Sequence, residues 1–580
     1  MKKAKKIVAF FTSCALVFSA CVVSSNSAEA RTNTKPTDSS KKEAAKTPSQ
    51  QYANSMQPGW NLGNSFDSVG NTGETSWGNP PVTEALLEKV KGEGFKSIRI
   101  PLTVYGRVGT APNYTIDSTY LNRYAQVVKM ALALKLKVMI NIHHDSWEWA
   151  EYINADDDNG EAMAEYKAIW TQLSSYFKDY SSDLCFESLN EPTFKNHSGD
   201  VATDVQLKRL DAVNTEFHSI VRNSGGNNAA RMLVMPTLNT NNSDDRCASL
   251  YNTIAGLKDP NIVATLHYYG YWPFSVNIAG STTMDSNTVS DINASFDRMY
   301  NNFTAKGVGV VVGEYGLLSF DGSAKSDVVE HGELLKYIEY LTYYAKSKGI
   351  AMMLWDNGGM INRQTYKWND AEFSNVVKAS FKTRSSYAAS DEIFVKKEAS
   401  NKDIPVSLTL NGNTLASIYN GNVKLKLGTD YTYSNGVVTL KGAYISRLIN
   451  GNYGTKATLT FKFSAGADFN VDINYENTPL LSKGKGTTAG FNIPIQFNGS
   501  KLLTLEAVNA DGTATGPANW TTYKQFGDSF TVDYTTNSLT MTNTFFNACN
   551  DGTITLKLHF ESGEVLQCNI TKSGTTVTAN

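Results

Sequence analysis

Apolar and polar positions follow two different rhythms along this chain, and the change falls near residue 384. Before that point, short apolar runs alternate with longer stretches whose apolar residues recur every three or four positions, as on one face of a helix. Eight runs are interpreted as strands, namely 59–64, 97–101, 137–144, 184–192, 232–236, 262–269, 308–315 and 351–358. Helical spacing is clearest in 83–95, 120–135, 166–180, 207–222 and 333–348.

This order of strand-then-helix units favours a closed barrel of parallel strands. The strand runs are apolar at successive positions, which is typical of strands buried on both faces. An α/β fold of the (β/α)8 TIM-barrel type buries them in this way, with the helices outside. A doubly wound open sheet is the alternative that the pattern leaves open.

The remainder of the chain is predicted to be all-β. Helical spacing vanishes, and Thr, Asn, Gly and Val recur in short alternating stretches separated by turns such as Asn411-Gly412 and Asn435-Gly436. We therefore predict a (β/α)8 barrel over 52–384, followed by two β-sandwich modules over 385–476 and 477–580.

The first thirty residues have the composition of an export signal. A basic start is followed by an apolar run from Ile7 to Val23 and by Ala28-Glu29-Ala30, a small-residue cleavage pattern. We predict a signal peptide over 1–30 and a secreted, extracellular protein, with lipid anchoring at Cys21 as the alternative. Residues 31–51 have hardly any large apolar side chains and are predicted to form a disordered linker.

Charge and cysteine content exclude several classes of function. With 53 Lys and Arg against 55 Asp and Glu, the chain has no basic excess for nucleic acid or an anionic membrane. No later segment is long and apolar enough to span a bilayer. No CxxC spacing indicates a metal site, so neither a metal nor another cofactor is expected. Cys549 and Cys568 are candidates for a disulfide, and we expect a monomer.

Polar side chains gather at the carboxyl ends of the predicted strands, where barrels of this kind carry their active sites. A single polar residue at a strand end is usually structural, but the clustering at so many strands argues for function, because buried unpaired charge is costly. The candidates at these ends are Asn64, Arg99, His143, His144, Asn190, Glu191, His267, Tyr269, Glu314 and Trp355.

Two carboxylates stand out among them, Glu191 in Asn-Glu-Pro on the fourth strand and Glu314 in Gly-Glu-Tyr-Gly on the seventh. Glycoside hydrolysis uses such a pair, and a separation of about 5 to 5.5 Å gives retention through a covalent intermediate. The charge on Glu314 is expected to raise the pKa of Glu191, and Arg99 is expected to keep Glu314 ionised. The alternative is a pair of ordinary ion-pair residues. Glu187, lower on the fourth strand, is interpreted as a structural partner.

Aromatic residues crowd the same end of the predicted barrel, where rings can pack against the C–H faces of sugars. They are Trp60, Trp77, Trp147, Trp149, Tyr268, Trp272 and Trp355. Trp272 and Trp355 are the best placed as platforms, whereas Trp60 and one of Trp147 or Trp149 fit the core equally well.

Residues 52–382 resemble glycoside hydrolase family five, and the segment 59–64 with His143-His144 is most similar to its subfamily four. The resemblance implies a retaining endo-β-1,4-glucanase acting on cellulose, xyloglucan or mixed-linkage β-glucan. Its acid/base would be Glu191 and its nucleophile Glu314. The supporting residues it implies are Arg99, His143, Asn190, which would bond the sugar 2-hydroxyl, His267 and Tyr269. Which of the two adjacent histidines faces the substrate stays open.

The two later modules also resemble known families. The segment 385–476 is similar to immunoglobulin-like X modules, and 477–580 is similar to carbohydrate-binding modules of family forty-six, in which Trp520 would stack on sugar. A core position for Trp520 is the alternative. In related enzymes such a module can fold back to complete the cleft. A β-mannanase on the same scaffold and a noncatalytic polysaccharide-binding protein are the competing functions.

Overall fold

The computed structural model describes residues 45–155, 158–195, 204–318 and 330–579. The predicted signal peptide, 1–30, lies outside the described residues. Within them, no helix combines the length and the hydropathy that crossing a bilayer requires.

Eight parallel strands close into a barrel in sequence order, which confirms the predicted TIM-barrel architecture. The doubly wound alternative is wrong, because the first strand pairs with the eighth through Gly59 and Met353. The strands are β1 (Gly59–Asn61), β2 (Ser97–Ile100), β3 (Lys137–Asn141), β4 (Leu184–Glu187), β5 (Leu233–Pro236), β6 (Ile262–Tyr268), β7 (Gly309–Tyr315) and β8 (Ala351–Leu354).

Helices surround the barrel and bury their apolar faces against it. Side-chain caps fix several helix starts; for example, Asp117 accepts a hydrogen bond from the N–H of Tyr120. The helices of the barrel domain are α1 (Pro48–Met56), α2 (Glu84–Gly92), α3 (Ser118–Ala133), α4 (Asp145–Glu148), α5 (Glu161–Phe177), α6 (Asp204–Asn223), α7 (Asp244–Leu257), α8 (Trp272–Ser275), α9 (Ser286–Asn302), α10 (His331–Ser347) and α11 (Ala371–Ser380).

Helix α1 corrects the end of the predicted disordered linker over 31–51, because Pro48 and the residues after it are helical, whereas residues 31–44 lie outside the described residues. Thr47 and Gln50 form a reciprocal capping box, and the Thr47 hydroxyl donates to Gly307 O at 2.6 Å. Ala53 and Met56 are buried in an apolar cluster at the amino-terminal end of the barrel. The helix therefore closes that end, a tertiary role that the polar composition of the segment does not reveal.

The middle module is an all-β sandwich with one short helix, α12 (Gly442–Leu448). Its strands are β9 (Tyr387–Ala388), β10 (Glu392–Val395), β11 (Ile404–Thr409), β12 (Leu415–Asn420), β13 (Val423–Lys424), β14 (Tyr431–Ser434), β15 (Val437–Leu440), β16 (Gly454–Phe463) and β17 (Phe469–Tyr475). One sheet has the order β10-β17-β16-β12-β13, and the other has the order β14-β15-β11-β9.

The last module is all-β as expected, but its nine strands form one continuous sheet around a core instead of two separate sheets. The elements are β18 (Leu480–Leu481), β19 (Gly484–Thr487), β20 (Gly490–Gln496), β21 (Leu502–Asn509), β22 (Phe530–Asp533), β23 (Ser538–Thr542), α13 (Asn543–Asn547), β24 (Gly552–Phe560), β25 (Val565–Ser573) and β26 (Thr576–Ala579). The layers are joined because β26 pairs with both β25 and β19. Cys549 and Cys568 are buried free thiols, so the predicted disulfide is wrong.

The last module contacts the barrel at the loop that follows β6, residues 269–281. The Asn277 amide donates to Leu503 O at 3.1 Å. A Cβ added to Gly280 would lie 2.9 Å from the Tyr523 ring, so the ring packs directly on the backbone of that loop. The module is thus seated beside the carboxyl end of the barrel, where the predicted site residues lie.

Candidate active site

The barrel brings Glu191 and Glu314 together at its mouth. One carboxylate oxygen of each, with a ring nitrogen of His267, lie within 4.8 Å of one another. Oxygens that approach this closely fit the ~5 to 5.5 Å between the carboxyl groups of retaining glycosidases better than the ~6.5 to 9.5 Å of inverting ones. The two glutamates are therefore close enough for one to donate a proton while the other attacks carbon.

Local backbone irregularities aim both glutamates into the mouth. Gly313 forms a bulge in β7, because Leu266 pairs with Val312 but His267 pairs with Glu314. A Cβ on Gly313 would lie 2.9 Å from Thr265 Oγ1, so only glycine fits before the nucleophile candidate. Glu191 lies beyond the end of β4 with a φ of 39°, a left-handed conformation that is costly for a non-glycine residue.

Arg99 is the central cation of the site and is completely buried. Its guanidinium donates to Glu314 Oε1 at 2.7 Å and to both carboxylate oxygens of Glu187, at 2.6 and 3.1 Å. Burial lowers the pKa of Arg99, but the charges of Glu187 and Glu314 outweigh it and raise that pKa overall. Glu187 is structural, as predicted, and its role is to hold Arg99 beneath Glu314.

Asn190 is fixed by the same guanidinium, which donates to its Oδ1 at 2.7 Å. Because the amide oxygen is occupied in this way, the NH2 group is the part of Asn190 left to donate to a ligand. This orientation suits the predicted bond to a sugar hydroxyl.

Tyr269 completes the shell of Glu314. Its hydroxyl donates to Glu314 Oε2 at 2.6 Å, while Arg99 occupies Oε1. Burial, followed by the charge of Glu314, raises the pKa of Tyr269 well above its usual value, so the phenol stays protonated and donates. Both oxygens of Glu314 thus carry a hydrogen bond that fixes the plane of the carboxylate.

His267 lies between the two carboxylates and changes the predicted electrostatics. Its Nδ1 shares a 2.9 Å hydrogen bond with Glu191 Oε1 and lies 3.6 Å from Glu314 Oε2. Burial lowers the pKa of His267, but Glu314 and Glu191 raise it above its usual value. Conversely, burial raises the pKa of Glu191, but the hydrogen bond and charge of His267 lower it overall. The predicted rise of the Glu191 pKa is therefore wrong for the free enzyme. That prediction considered the charge of Glu314 but not the imidazole of His267.

His143, not His144, faces the carboxylate pair. The Asn141 amide donates to His143 Nδ1 at 3.1 Å, which leaves the proton on Nε2, 3.9 Å from Glu314 Oε1. Burial, followed by His144, lowers the pKa of His143 well below its usual value, so the ring is neutral. The ring stacks on Trp355 with centroids 5.8 Å apart and an interplanar angle of 3°.

His144 and Asn64 belong to a neighbouring part of the mouth. His144 Nε2 lies 3.6 Å from Asp67 Oδ2, and the N–H of Asn64 donates to the same oxygen at 2.9 Å. The His144 ring contacts Trp147 and Trp77, with centroids 4.4 and 5.1 Å away. These residues form an aromatic wall beside the carboxylates rather than part of their hydrogen-bonded shell.

The donor atoms of Asp67, His143 and His144 lie within 4.8 Å of one another, a spacing compatible with a cation. Hydrogen bonds already account for much of this group. Asp67 accepts from the N–H groups of Asn64 and Ser65, and His143 Nδ1 accepts from Asn141. The arrangement serves to orient rings and backbone at the mouth.

Asn61, Asn141 and Asp67 are site residues that the sequence analysis missed. The Asn61 amide accepts from Arg99 Nη1 at 3.2 Å and donates to Gly313 O at 2.8 Å, which connects the guanidinium to the β7 bulge. The available signal was an amide at the end of a short apolar run, Gly-Trp-Asn in β1 and Val-Met-Ile-Asn in β3.

The aromatic residues divide between core and surface. Trp60 is completely buried and bonded to Asp356, Trp149 is bonded to Asp145, and Tyr268 is buried and bonded to Asp291. Tyr268 is therefore not a sugar platform. Trp77, Trp272 and Trp355 are half-buried around the mouth, and Trp147 and Trp520 are each 47% exposed. The core alternative for Trp520 is therefore wrong.

Family models match all three parts of the chain. The model described as cellulase, glycosyl hydrolase family 5, matches residues 62–360. The model for carbohydrate binding domain X2 matches 387–473, and the CBM46 carbohydrate binding domain matches 477–580.

Known proteins are similar over almost the whole chain. Endoglucanase B of Paenibacillus lautus is 48% identical over 92% of this chain and 94% of its own length. The tri-modular endo-β-1,4-glucanase B of Bacillus halodurans is 44% identical, with a TM-score of 0.89 over 92% of this chain and 98% of that one. A tri-modular family 5, subfamily 4 endo-β-1,4-glucanase of Bacillus licheniformis, solved with cellotetraose, is 30% identical with a TM-score of 0.76 over 90% and 99%.

Proposed function

The chain belongs to glycosyl hydrolase family 5 and is a retaining endo-β-1,4-glucanase, and from this we propose that Glu191 is its acid/base and Glu314 its nucleophile. The assignment rests on one observation: oxygens of the two carboxyl groups lie within 4.8 Å, and each group has its own partner. Arg99 and Tyr269 each donate a hydrogen bond to one oxygen of Glu314 and so orient it, whereas His267 shares a proton with Glu191.

In the first step Glu314 attacks the anomeric carbon and the bond to the leaving oxygen breaks. Glu191 gives its proton to that oxygen, so the shortened chain leaves as an alcohol and the other part is bound to Glu314 as an ester. His267 supports this step because the hydrogen-bonded pair it forms with Glu191 holds a proton 3.6 Å from the nucleophile Glu314.

In the second step a water molecule attacks the same carbon from the side that the leaving group vacated. Glu191, now a carboxylate, accepts a proton from that water, and the ester bond to Glu314 breaks. Two inversions restore the β configuration, and both carboxyl groups return to their starting charge.

The substrate is a polysaccharide, and we infer that it is a β-1,4-linked glucan of the cellulose, xyloglucan or mixed-linkage type. Trp355, stacked on His143, offers a ring beside Glu314, and the Asn190 NH2 group is free to bind a sugar hydroxyl. The adjoining wall of Trp77 and Trp147 extends the aromatic surface for an open, long-chain ligand. The β-mannanase alternative lacks any comparable support.

The last module is proposed to complete the cleft. Tyr523 packs on Gly280 and Leu503 accepts from Asn277, so the module contacts the loop that begins at Tyr269. Trp520, exposed in the same module, supplies a ring for sugar beyond the barrel.

Azide rescue tests the two catalytic assignments. In Glu314→Ala, azide is expected to attack the anomeric carbon directly and give the α-glycosyl azide. In Glu191→Ala, azide is expected to replace water in the second step and give the β-glycosyl azide. The anomers are read by NMR with an aryl cellotrioside as substrate. The reverse pattern, or no rescue in a folded protein, contradicts the assignment.

A panel of polysaccharides tests substrate and module. We expect higher rates on β-glucan, xyloglucan and glucomannan than on galactomannan, whereas a mannanase would prefer the last. A truncation ending at residue 476, which removes only the last module, is expected to lose activity chiefly on branched glucan. Equal losses on all substrates would contradict a role of the last module in shaping the cleft.

Export is proposed from the basic and apolar segment at residues 1–30. Amino-terminal sequencing of the protein recovered from culture medium is expected to begin at Arg31. A lipid-modified, membrane-bound form beginning at Cys21 would support the lipoprotein alternative. We further propose a monomer that binds neither nucleic acid nor membrane, and light scattering of the mature protein checks its mass.

A further inference from the structure

The turn at residues 515–522 carries Trp520 and is fixed at both ends to a single residue of β21. Ala507 accepts from the N–H of Thr515 at 3.2 Å and donates its own N–H to Thr522 O at 2.8 Å. The turn therefore leaves and rejoins the sheet at one point, with Trp520 exposed near its end.

Lys524 follows the turn, and its side chain points back into it. The residue is completely buried, and its ammonium donates to Pro517 O and Thr521 O, both at 3.0 Å. These carbonyls lie on either side of Trp520 in the sequence, so a single cation closes the turn around the exposed ring.

Gly516 lies directly against the Phe545 ring and close to the stem of Lys524. A Cβ on Gly516 would lie 2.7 Å from the Phe545 ring and 3.8 Å from Cδ of Lys524. Gly516 also has a φ of 85°, which favours glycine. The glycine thus lets the turn settle on Phe545 and on the lysine stem.

Lys524 is poorly explained as a stabilising residue. Among the described residues, no carboxylate forms an ion pair with it, and burial lowers its pKa to about 8. A buried charge without a counter-ion costs folding free energy, and an apolar chain of the same length fills the space without that cost. The ammonium instead fixes the conformation of the turn through its hydrogen bonds to Pro517 O and Thr521 O.

The residues that follow Trp520 contact both the barrel and strand β21 of the last module. Tyr523 packs on Gly280 in the loop after β6, and the hydroxyl of Thr522 donates to Glu506 at 2.7 Å. The residues just after Trp520 are therefore held between the last module and the loop that carries Tyr269.

We propose that Lys524 is a positioning residue for glucan binding, whose buried ammonium holds the 515–522 turn in the shape that presents Trp520 to the polysaccharide. The proposal rests on the proposed function, in which Trp520 contacts glucan. A ring held in place loses little conformational freedom on binding, whereas a ring on a loose turn must be ordered first.

A double-mutant cycle tests this in the full chain carrying Glu314→Gln, which binds glucan without cleaving it. Lys524→Met keeps the length of the side chain and removes the charge and both donated bonds, and Lys483→Met, at an exposed lysine of the same module, is the matched control. Affinity is measured by electrophoresis through gels containing xyloglucan or barley β-glucan. Amide hydrogen exchange of residues 515–522 reports the turn itself.

We expect Trp520→Ala to weaken binding about tenfold, the size of one lost aromatic contact with its buried surface. Lys524→Met should weaken it about fivefold with faster exchange confined to the turn, and should cause no further loss in the Trp520→Ala background. In the active enzyme it should raise KM on xyloglucan and leave kcat within about twofold.

Two results would overturn the proposal: unchanged affinity of a folded Lys524→Met protein, or an equal loss with and without Trp520. If Lys524→Met does not fold, Lys524→Gln, which keeps a neutral donor, is measured instead. It should bind about threefold more weakly, and full affinity would overturn the proposal. Unchanged binding of Trp520→Ala with full activity of the barrel would instead refute the proposed role of Trp520.

Discussion

Replacing Arg99 with Met separates the structural from the chemical role of the buried cation. Arg99 donates five hydrogen bonds, two to Glu187 and one each to Glu314, Asn190 and Asn61. Met fills similar space but leaves two carboxylates buried at the centre of the barrel without a cation.

The size of the effect follows from that arrangement. Removing one partner of a buried ion pair typically lowers the free energy of unfolding by about 3 to 5 kcal/mol, because the remaining charge stays buried and unpaired. Adding Glu187→Gln to Arg99→Met removes one of the two unpaired buried charges. The free energy of unfolding should then rise again by about 1 to 3 kcal/mol. Catalysis should not return, since Glu314 still lacks the donor on its Oε1. We expect kcat to fall by about 10²- to 10³-fold or more in both variants.

Urea unfolding followed by tryptophan fluorescence measures the stability of the barrel, because Trp520 is the one tryptophan of the nine that lies outside it. Activity is measured on the same preparations with an aryl cellotrioside. The Glu187→Gln single variant is the control, since it keeps the bond from Arg99 to Glu314. A double variant less stable than Arg99→Met, or one that regains activity, would refute the account of Arg99 and Glu187.

Three further predictions concern other parts of the molecule. Burial lowers the pKa of His267, but Glu314 and Glu191 raise it overall, so His267 keeps the proton of the His267–Glu191 pair to higher pH than a free imidazole does. In His267→Gln a carboxyl group alone holds this proton, and because carboxyl groups lose protons at lower pH than imidazolium does, the alkaline limb of kcat/KM should move to lower pH; an unchanged limb would contradict the proton sharing. Met56→Ala should destabilise the barrel by about 2 to 5 kcal/mol with kcat unchanged, measured by urea unfolding; normal stability would mean that α1 does not close the barrel. Gly280→Leu should displace Tyr523 and lower activity on xyloglucan more than on an aryl cellotrioside, and equal activity on both would contradict the docking of the last module.

The sequence alone determined the architecture and most of the chemistry. Hydrophobic spacing records which faces are buried, so eight apolar runs and the later alternation predicted a barrel and two β modules. Parallel barrel strands all point their carboxyl ends the same way, so Glu191, Glu314 and Arg99 could be placed at one mouth before any distance was known.

Only the tertiary structure decided how those residues act on one another. Hydrogen bonds and charge interactions change over tenths of an ångström, and no spacing in the sequence states that His267 lies 2.9 Å from Glu191 or that Lys524 turns back on Pro517. The same holds for α1: Thr47, Pro48 and Gln50 form a recognisable helix start, but the polar sequence does not show that the helix closes the barrel. Periodicity reports burial, whereas protonation and docking depend on which distant groups meet, and that is fixed only when the chain has folded.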